Sequence, residues 1–246
     1  MKSNTKNLRT AIVGMPQGGT TALYNIVNFI LRHNEMPVEN FLYHPTLKYN
    51  KVVNEQFLRG YEGPASILVK EHHFIPFLCN EWSDIIFVMK RDIRDSIASR
   101  RRRGKALISK GKVASGLHTY NPKTFEGFQQ WCDYLTYDCY QAWVDEAKKN
   151  KRNIHEFDYI SYKQDPDKTV RVVFEALKNS LDQPIELDEK KVVYDINNLN
   201  RFDKDITFFS SSKVTNQGKM NGYKDYLSVQ ELEFIDNNFQ EWIDKK

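Results

Sequence analysis

The chain has 246 residues, of which 40% are hydrophobic and 13% are aromatic. This composition excludes an intrinsically disordered chain and is sufficient for the core of one α/β domain, which we expect to span residues 1–246. No stretch approaches the roughly 20 apolar residues needed to cross a bilayer, and the first residues lack the apolar segment of a signal peptide, so we expect a cytoplasmic protein.

Positive charge is concentrated in one segment. The formal net charge is +4, but residues 90–112 carry a local excess of +8, so the rest of the chain sums to −4. This distribution favours a local anionic ligand, with a solvated basic helix as the alternative. It argues against a nucleic-acid partner, because most of the chain is acidic.

The cysteine content favours neither a disulfide framework nor a metal site. The three cysteines are few and irregularly spaced: Cys79, Cys132 and Cys139. Cys132 and Cys139 are seven residues apart in a helical pattern. We therefore interpret them as small residues of the core, and we predict no bound metal.

Short apolar runs alternate with helical patterns along the chain. The spacing predicts strands at residues 9–14, 66–69, 84–89 and 153–157. It predicts helices at residues 19–32, from 91 to near 104, at 123–149, from Asp165-Pro166 onward and from Ser228 onward. Residues 34–64 give no clear pattern, and residues 104–122 are expected to form a mobile loop. The alternation indicates a three-layer αβα fold with a central parallel sheet.

The most informative motif follows the first predicted strand. Residues 14–21 (GMPQGGTT) are a glycine-rich turn that opens a helix, where backbone N–H groups and the positive helix end bind a phosphate or sulfate. Gly14, Gly19 and Thr21 fit the spacing G-x-x-x-x-G-K-S/T, but Thr20 stands at the lysine position. A nucleoside triphosphate is therefore disfavoured, and a P-loop nucleotide kinase or NTPase is kept as the alternative function. On this motif alone, a turn without ligand stays open.

This loop resembles the 5′-phosphosulfate loop of sulfotransferases that use 3′-phosphoadenosine 5′-phosphosulfate (PAPS), with the pattern Y/R-P-K/R-S-G-T-T. The resemblance implies a P-loop NTPase-like sulfotransferase fold, PAPS as donor and adenosine 3′,5′-bisphosphate (PAP) as product. It implies that the loop residues contact the donor: Gln17, Gly18, Gly19, Thr20 and Thr21. Gln17 departs from the family, whose members carry Lys or Arg there.

A second family signature is an arginine after a strand with a serine eight residues later, R-N/D-P-x-D-x-x-x-S. Arg91 and Ser99 have this spacing, and Asp92 and Asp95 also match. Both residues can reach the carboxyl edge of the sheet, where a guanidinium and a hydroxyl suit the 3′-phosphate of the donor. Ser96 lies one turn too early for this role. The basic run at residues 100–103 is expected to be mainly a solvated extension of the helix.

A third segment, residues 69–76 (VKEHHFIP), resembles the K-x-H motif of cytosolic family members. The resemblance implies that His72 is the base that takes the proton of the acceptor hydroxyl and that Lys70 steadies the transferred group. A neutral imidazole suits this chemistry near pH 7. Glu71 and His73 are alternative bases.

Two softer matches complete the resemblance. Tyr159 precedes Asp165-Pro166 as in the family motif whose tyrosine lies near the adenine. Residues 216–224 align with R-K-G-x-x-G, which adds Gln217, Gly218 and Lys219 to the predicted donor contacts, although Asn216 and Gln217 replace the Arg-Lys pair. The acceptor predicted by the resemblance is a hydroxyl on a sugar, a small alcohol or a phenol. A relative that binds PAPS with little turnover is a further alternative.

Overall fold

A computed structural model describes residues 7–46, 51–108, 124–199 and 221–243, with side chains up to residue 102 in the second range. Its centre is a six-stranded sheet in the order β3-β2-β4-β1-β5-β6, and all the pairs are parallel. The strands are β1 Arg9–Gly14, β2 Val38–Tyr43, β3 Val52–Val53, β4 Ser66–Lys70, β5 Ile85–Lys90 and β6 Ile154–Asp158. The α/β class with a parallel sheet is thereby confirmed.

Helices connect the strands. In chain order they are α1 Thr20–His33, α2 Glu55–Arg59, α3 Ile93–Ile108, α4 Phe125–Asp133, α5 Ala142–Lys149, α6 Tyr159–Gln164, α7 Pro166–Lys178, α8 Glu189–Asn198 and α9 Val229–Asn238. Leu78–Trp82 and Tyr134–Gln141 are π-helical, and the latter joins α4 to α5 without a break. Gly222–Asp225 and Gln240–Trp242 are 3₁₀-helical. No helix in the described ranges is long and apolar enough to cross a membrane.

The sheet separates two apolar cores. Ala11 and Val13 of β1 point to the face covered by α3, the α4–α5 helix and the C-terminal segment, whereas Ile12 points to the face covered by α1, α7 and α8. Because both faces are covered, the central strands are buried along nearly their whole length, as is usual for parallel sheets. All three cysteines are buried without disulfides, and Cys132 and Cys139 lie in the first core, as predicted.

Most predicted elements agree with the structure to within two residues, and capping side chains fix the first residue of several helices. Thr124 caps α4, Asp165 caps α7, and Ser228 forms a capping box with Glu231 at α9. One boundary was wrong: α3 continues past Gly104 to Ile108. A glycine inside a helix costs only about 1 kcal/mol, which a 16-residue helix tolerates.

The unassigned residues 34–64 form the edge of the sheet, β2 and β3, together with α2. The first residues of the predicted loop, 104–108, belong to α3, and residues 109–123 lie outside the described residues. Helices α6 and α8 were not predicted, although Asp158 and Asp188 cap them.

The strand order creates a crevice between β1 and β5. From β1 the chain runs to β2, toward one edge of the sheet, and from β5 it runs to β6, toward the opposite edge. Connections that diverge in this way leave an opening at the carboxyl ends of the two strands, which is where open α/β sheets bind ligands. Gly14 lies beside Met89 at this point, so the glycine-rich turn and the residues after β5 are neighbours.

Gly14 is required by this close approach. Its φ is +129°, and a Cβ added there would overlap the carbonyl oxygen of Met89. We predict that Gly14→Ala lowers the free energy of unfolding by at least about 2 kcal/mol, from backbone strain and steric overlap together. Gly60→Ala is the control, because its Cβ would meet no atom closer than 3.5 Å. Denaturant unfolding measures both, and equal stability of the two variants would contradict the prediction.

Candidate active site

The turn between β1 and α1 is built to expose amide groups. Gly14, Gln17 and Gly19 all have positive φ, and Gly18 N donates to Met15 O at 2.8 Å. The first amides of α1 have no preceding helical turn to bond to, and the first turn of α1 contains no acidic residue. The positive N-terminal end of α1 is therefore presented to an anion at the carboxyl edge of the sheet.

Lys70 supplies charge that the turn itself lacks. Neither Gln17 nor Thr20 is charged, but β4 pairs with β1 and brings Lys70 beside Ile12. The Lys70 ammonium donates to Thr21 Oγ1 at 2.7 Å, and the residue is 8% exposed. A cation from the neighbouring strand thus lies at the turn, where the sequence pattern has none.

His72 has a defined tautomer. Its Nδ1 lies 2.7 Å from Gly14 O, and since a carbonyl only accepts hydrogen bonds, Nδ1 carries the proton. Nε2 is then the nitrogen with the lone pair. Burial and the positive charge of Lys70 lower the pKa of His72 to about 3, so the ring is neutral at ordinary pH and can accept a proton through Nε2.

Glu71 folds back onto the residues that follow it. Its Oε1 accepts from His72 N at 2.6 Å and from His73 N at 3.0 Å. Burial raises the pKa of Glu71 to about 7. His73 in turn lies 3.0 Å from Tyr134 OH through Nε2, and burial lowers the pKa of His73. The segment after β4 is therefore held from three directions: β1, its own acid and the helix at Tyr134.

Arg91, just after β5, reaches the same turn. Its Nη1 donates to Gln17 O at 2.7 Å, and its guanidinium lies 4.5 Å from the ring centre of Tyr159. Arg91 is 4% exposed, and its Nε has no hydrogen-bond partner among the described residues. A buried guanidinium with an unmet N–H is the kind of group that an anionic ligand satisfies. The same burial lowers the pKa of Arg91.

Tyr159 closes the other side of the turn. Asp158 caps α6 by accepting from Ile160 N, which fixes Tyr159 as the first helical residue. The ring packs so closely on Gly19 that a Cβ at Gly19 would overlap it. The turn, Arg91 and Tyr159 thus contact one another directly, although they are far apart in the sequence.

The two serines of α3 differ in their surroundings. Ser96 is buried, and its Oγ donates to Pro16 O at 2.6 Å, so it fixes the turn from below. The sequence does not reveal this contact, because a hydroxyl that donates to a distant carbonyl leaves no local pattern. Ser99 is half-buried one turn further along the helix, and no hydrogen bond places it at Arg91 or the turn within the described residues.

The C-terminal segment returns to α3 beside these groups. Asn221 N donates to Asp95 Oδ2 at 2.9 Å, and Arg94 pairs with Asp92 at 2.6 Å while lying over the ring of Tyr223. Burial raises the pKa of Asp95. The predicted contacts Gln217, Gly218 and Lys219 lie outside the described residues.

Within the basic run at residues 100–103, Arg101 is not part of a solvated helix face, and the side chain of Arg103 lies outside the described residues. Arg101 makes two bonds to Glu231, at 2.5 and 2.9 Å, and donates to Tyr226 O, so it holds the C-terminal segment on α3. Arg100 is half-buried, with its guanidinium 5.7 Å from the ring centre of Trp131. Partners distant in sequence therefore bind Arg101 and contact Arg100.

The chain is similar to known proteins in sequence and in fold. A family model described as "Sulfotransferase domain" matches residues 9–246. The crystal structure of mouse sulfotransferase SULT7A1 complexed with PAP is similar in fold, with a TM-score of 0.65 and 14% identity over 96% of this chain and 83% of that one. A sulfotransferase from Alicyclobacillus acidocaldarius is also 14% identical, covering 76% of this chain and 90% of that one, with a TM-score of 0.43. No curated protein sequence matches the chain.

The raised pKa of Glu71 makes a prediction about stability. Between its usual pKa of 4.5 and about 7, the folded protein keeps a proton that the unfolded chain releases, so the acid destabilises the fold progressively as the pH rises through this window. Glu71→Gln should therefore raise Tm at pH 8 by roughly 2–4 °C, equivalent to about 1 kcal/mol, and by less at pH 5. Glu62→Gln, at an exposed position, is the control. A gain that is equal at both pH values would refute the assignment.

Proposed function

Because the chain belongs to the sulfotransferase family, whose domain model spans residues 9–246, we propose that it transfers a sulfuryl group from PAPS to a hydroxyl of a small-molecule or carbohydrate acceptor. The observation that carries the proposal is the contact between the glycine-rich turn, Arg91 and Tyr159. The turn follows β1, Arg91 follows β5 and Tyr159 follows β6, and the three enclose one candidate binding site. The amides of the turn lie on one side of this site and the guanidinium lies on the other.

The residues present fit an adenosine ligand with two anionic ends. The amides of the turn and the hydroxyls of Thr20 and Thr21 suit the 5′-phosphosulfate, and the unmet Nε–H of Arg91 suits the 3′-phosphate. The aromatic ring of Tyr159, held between Gly19 and Arg91, suits the base or sugar between them. The mouse structure of similar fold contains PAP, which supports the same ligand class here.

When bound, PAPS supplies the sulfuryl group and leaves as PAP. The chain's own residues position the donor and stabilise the transition state. The Lys70 ammonium at Thr21 Oγ1 lies where negative charge develops on the oxygens of the sulfuryl group and of the leaving phosphate. This charge substitutes for the Lys or Arg that Gln17 replaces. Transfer of this kind, through a loose transition state, depends mainly on positioning and cationic stabilisation.

His72 is the proposed base. Its Nδ1–H is held by Gly14 O, so Nε2 is the atom that takes the proton of the acceptor hydroxyl. Its low pKa keeps the ring unprotonated before reaction, and an anion held at the neighbouring turn would raise that pKa toward the range of an effective base. Glu71 is a weaker candidate, because its Oε1 already accepts two amide hydrogen bonds.

A P-loop kinase or NTPase has less support. In those proteins the hydroxyl at the position of Thr21 binds Mg²⁺, and the preceding lysine contacts the phosphates. Here Thr21 Oγ1 accepts a hydrogen bond from the Lys70 ammonium at 2.7 Å, and a second cation at that oxygen would be repelled. Thr20 replaces the lysine.

Ligand binding tests the donor site. PAP should raise the Tm of the protein, by an amount equivalent to about 2.7 kcal/mol at a concentration of 100 times Kd. Arg91→Met should weaken PAP binding at least tenfold while leaving the weaker binding of adenosine 5′-monophosphate nearly unchanged, because only PAP has a 3′-phosphate for Arg91.

The matched control for this experiment is Lys90→Met. It removes the same charge one residue earlier, where the ammonium donates to Glu241 O instead of facing the turn. Equal loss of PAP affinity in the two variants would show that only the net charge of the protein matters. If millimolar PAP does not stabilise the wild type, the donor site is contradicted.

Transfer of labelled sulfate from PAPS tests the reaction. We expect product with at least one member of a panel of sugars, small alcohols and phenols, and a 10²- to 10⁴-fold lower kcat for His72→Ala, the usual contribution of a general base. PAP should still stabilise His72→Ala. His155→Ala, on β6 away from the turn, serves as the control and should keep its activity. Full activity of His72→Ala would reject this base.

A further inference from the structure

Glu71 forms a clamp on the segment that carries the proposed base. It is the first residue after β4, and its own amide donates to Ile12 O of β1 at 3.2 Å. From this fixed backbone, its carboxylate reaches forward and accepts from the amides of His72 and His73 at 2.6 and 3.0 Å. One oxygen thus determines the direction of two successive peptide groups.

The clamp leaves the imidazole of His72 little freedom. Its backbone is held at the amide by Glu71, and its ring is held at Nδ1 by Gly14 O. Because both ends of the side chain are fixed, the direction of Nε2 is fixed as well. His73 is restrained separately: its ring packs against Tyr134 at a centroid distance of 4.8 Å and shares a hydrogen bond with Tyr134 OH.

The position of Glu71 lowers the stability of the folded protein, because burial disfavours its charged form. Among the described residues, the titratable groups that interact with it are Lys70, His72 and His73 of its own segment, Tyr43 of β2, and Tyr134 and Cys139 of the π-helical segment. The charge of Arg100 in α3 acts on His72, His73, Tyr134 and Cys139. Lys70 is the charged residue in this group that favours the carboxylate, and burial outweighs it. A half-buried acid that destabilises the fold is expected where it serves function.

We propose that Glu71 is a positioning residue for sulfuryl transfer: its carboxylate holds the backbone of His72 and His73 so that Nε2 of His72 stays directed at the acceptor hydroxyl. Glu71 itself takes no proton from the acceptor. This inference rests on the proposed function, in which His72 is the base, and it assigns Glu71 a part distinct from that of an alternative base.

The clamp also predicts a dependence on pH. The carboxylate is a stronger acceptor for the two amides than the protonated acid, so positioning should weaken as the pH falls through the raised pKa of about 7. A pH profile of kcat/KM for PAPS reports on the enzyme without bound donor. This profile should therefore include a limb from Glu71 between about pH 6 and 8. The pKa of His72 in the free protein, about 3, lies well below this window.

Three variants separate positioning from the other roles. Glu71→Ala removes the acceptor oxygen, Glu71→Gln keeps an oxygen but not the charge, and Glu62→Ala removes an exposed acid elsewhere. In the protein without ligand, amide hydrogen exchange at His72 and His73, measured by NMR, should accelerate at least tenfold in Glu71→Ala and much less in Glu71→Gln. Thermal unfolding verifies that each variant is folded.

Kinetics then test the consequence for the reaction. Glu71→Ala should lose roughly 10- to 100-fold in kcat, the scale of a misplaced catalytic group, with little change in the KM for PAPS. Glu71→Gln should recover part of this loss, to the level that the wild type shows at the acid end of its limb, and should lack the limb between pH 6 and 8. Glu62→Ala should match the wild type in exchange, kcat and pH profile.

Several results would overturn the proposal. If Glu71→Gln is as inactive as Glu71→Ala, Glu71 is itself the base; if exchange in Glu71→Ala is unchanged, the clamp does not exist. Retention of the pH limb in Glu71→Gln would assign it to another group. Failure of the wild type to transfer sulfate rejects the proposed function and the positioning role with it, whereas the exchange measurement still reports on the clamp alone.

Discussion

The parallel pairing of β1 with β5 is the constraint on which the candidate site depends. It sets Gly14 beside Met89, so that the glycine-rich turn and Arg91 leave the sheet at the same point. Only then can the Arg91 guanidinium donate to Gln17 O and cover Tyr159. The requirement for glycine at position 14 follows from the same closeness, since the backbones of the two strand ends leave no room for a Cβ.

Charge at this site comes from the strands around the turn instead of from the turn itself. Lys70 arrives from β4 and Arg91 from β5, on either side of β1. Two cations on either side of the N-terminal end of α1 make a strongly positive place for an anion. Burial and, after it, the charge of Lys70 lower the pKa of His72, so the ammonium that would help to hold a donor also favours the neutral form of the neighbouring imidazole.

Several groups at the site are arranged at the expense of stability. The Nε of Arg91 and the Oδ1 of Asp95 are buried without partners in the described part of the chain, and Glu71 is an acid with a pKa raised by burial. Elsewhere, comparable charges are satisfied: Arg101 is paired with Glu231, and Arg94 with Asp92. Buried polar groups without partners that lie together in one crevice are typical of a ligand site before its ligand binds.

The sequence alone determined the α/β class, the four predicted strands and the identity of the glycine-rich turn, because buried runs, caps and glycine spacing act over a few neighbouring residues. It also indicated Lys70, His72, Arg91 and Tyr159, but only through a resemblance. The tertiary structure decided that Lys70 reaches Thr21, that Gly14 O fixes the tautomer of His72, that Ser96 supports the turn and that Arg101 binds Glu231. Each of these contacts joins residues more than 45 positions apart, so no local pattern encodes it, and only the order in which the strands pair brings the partners together.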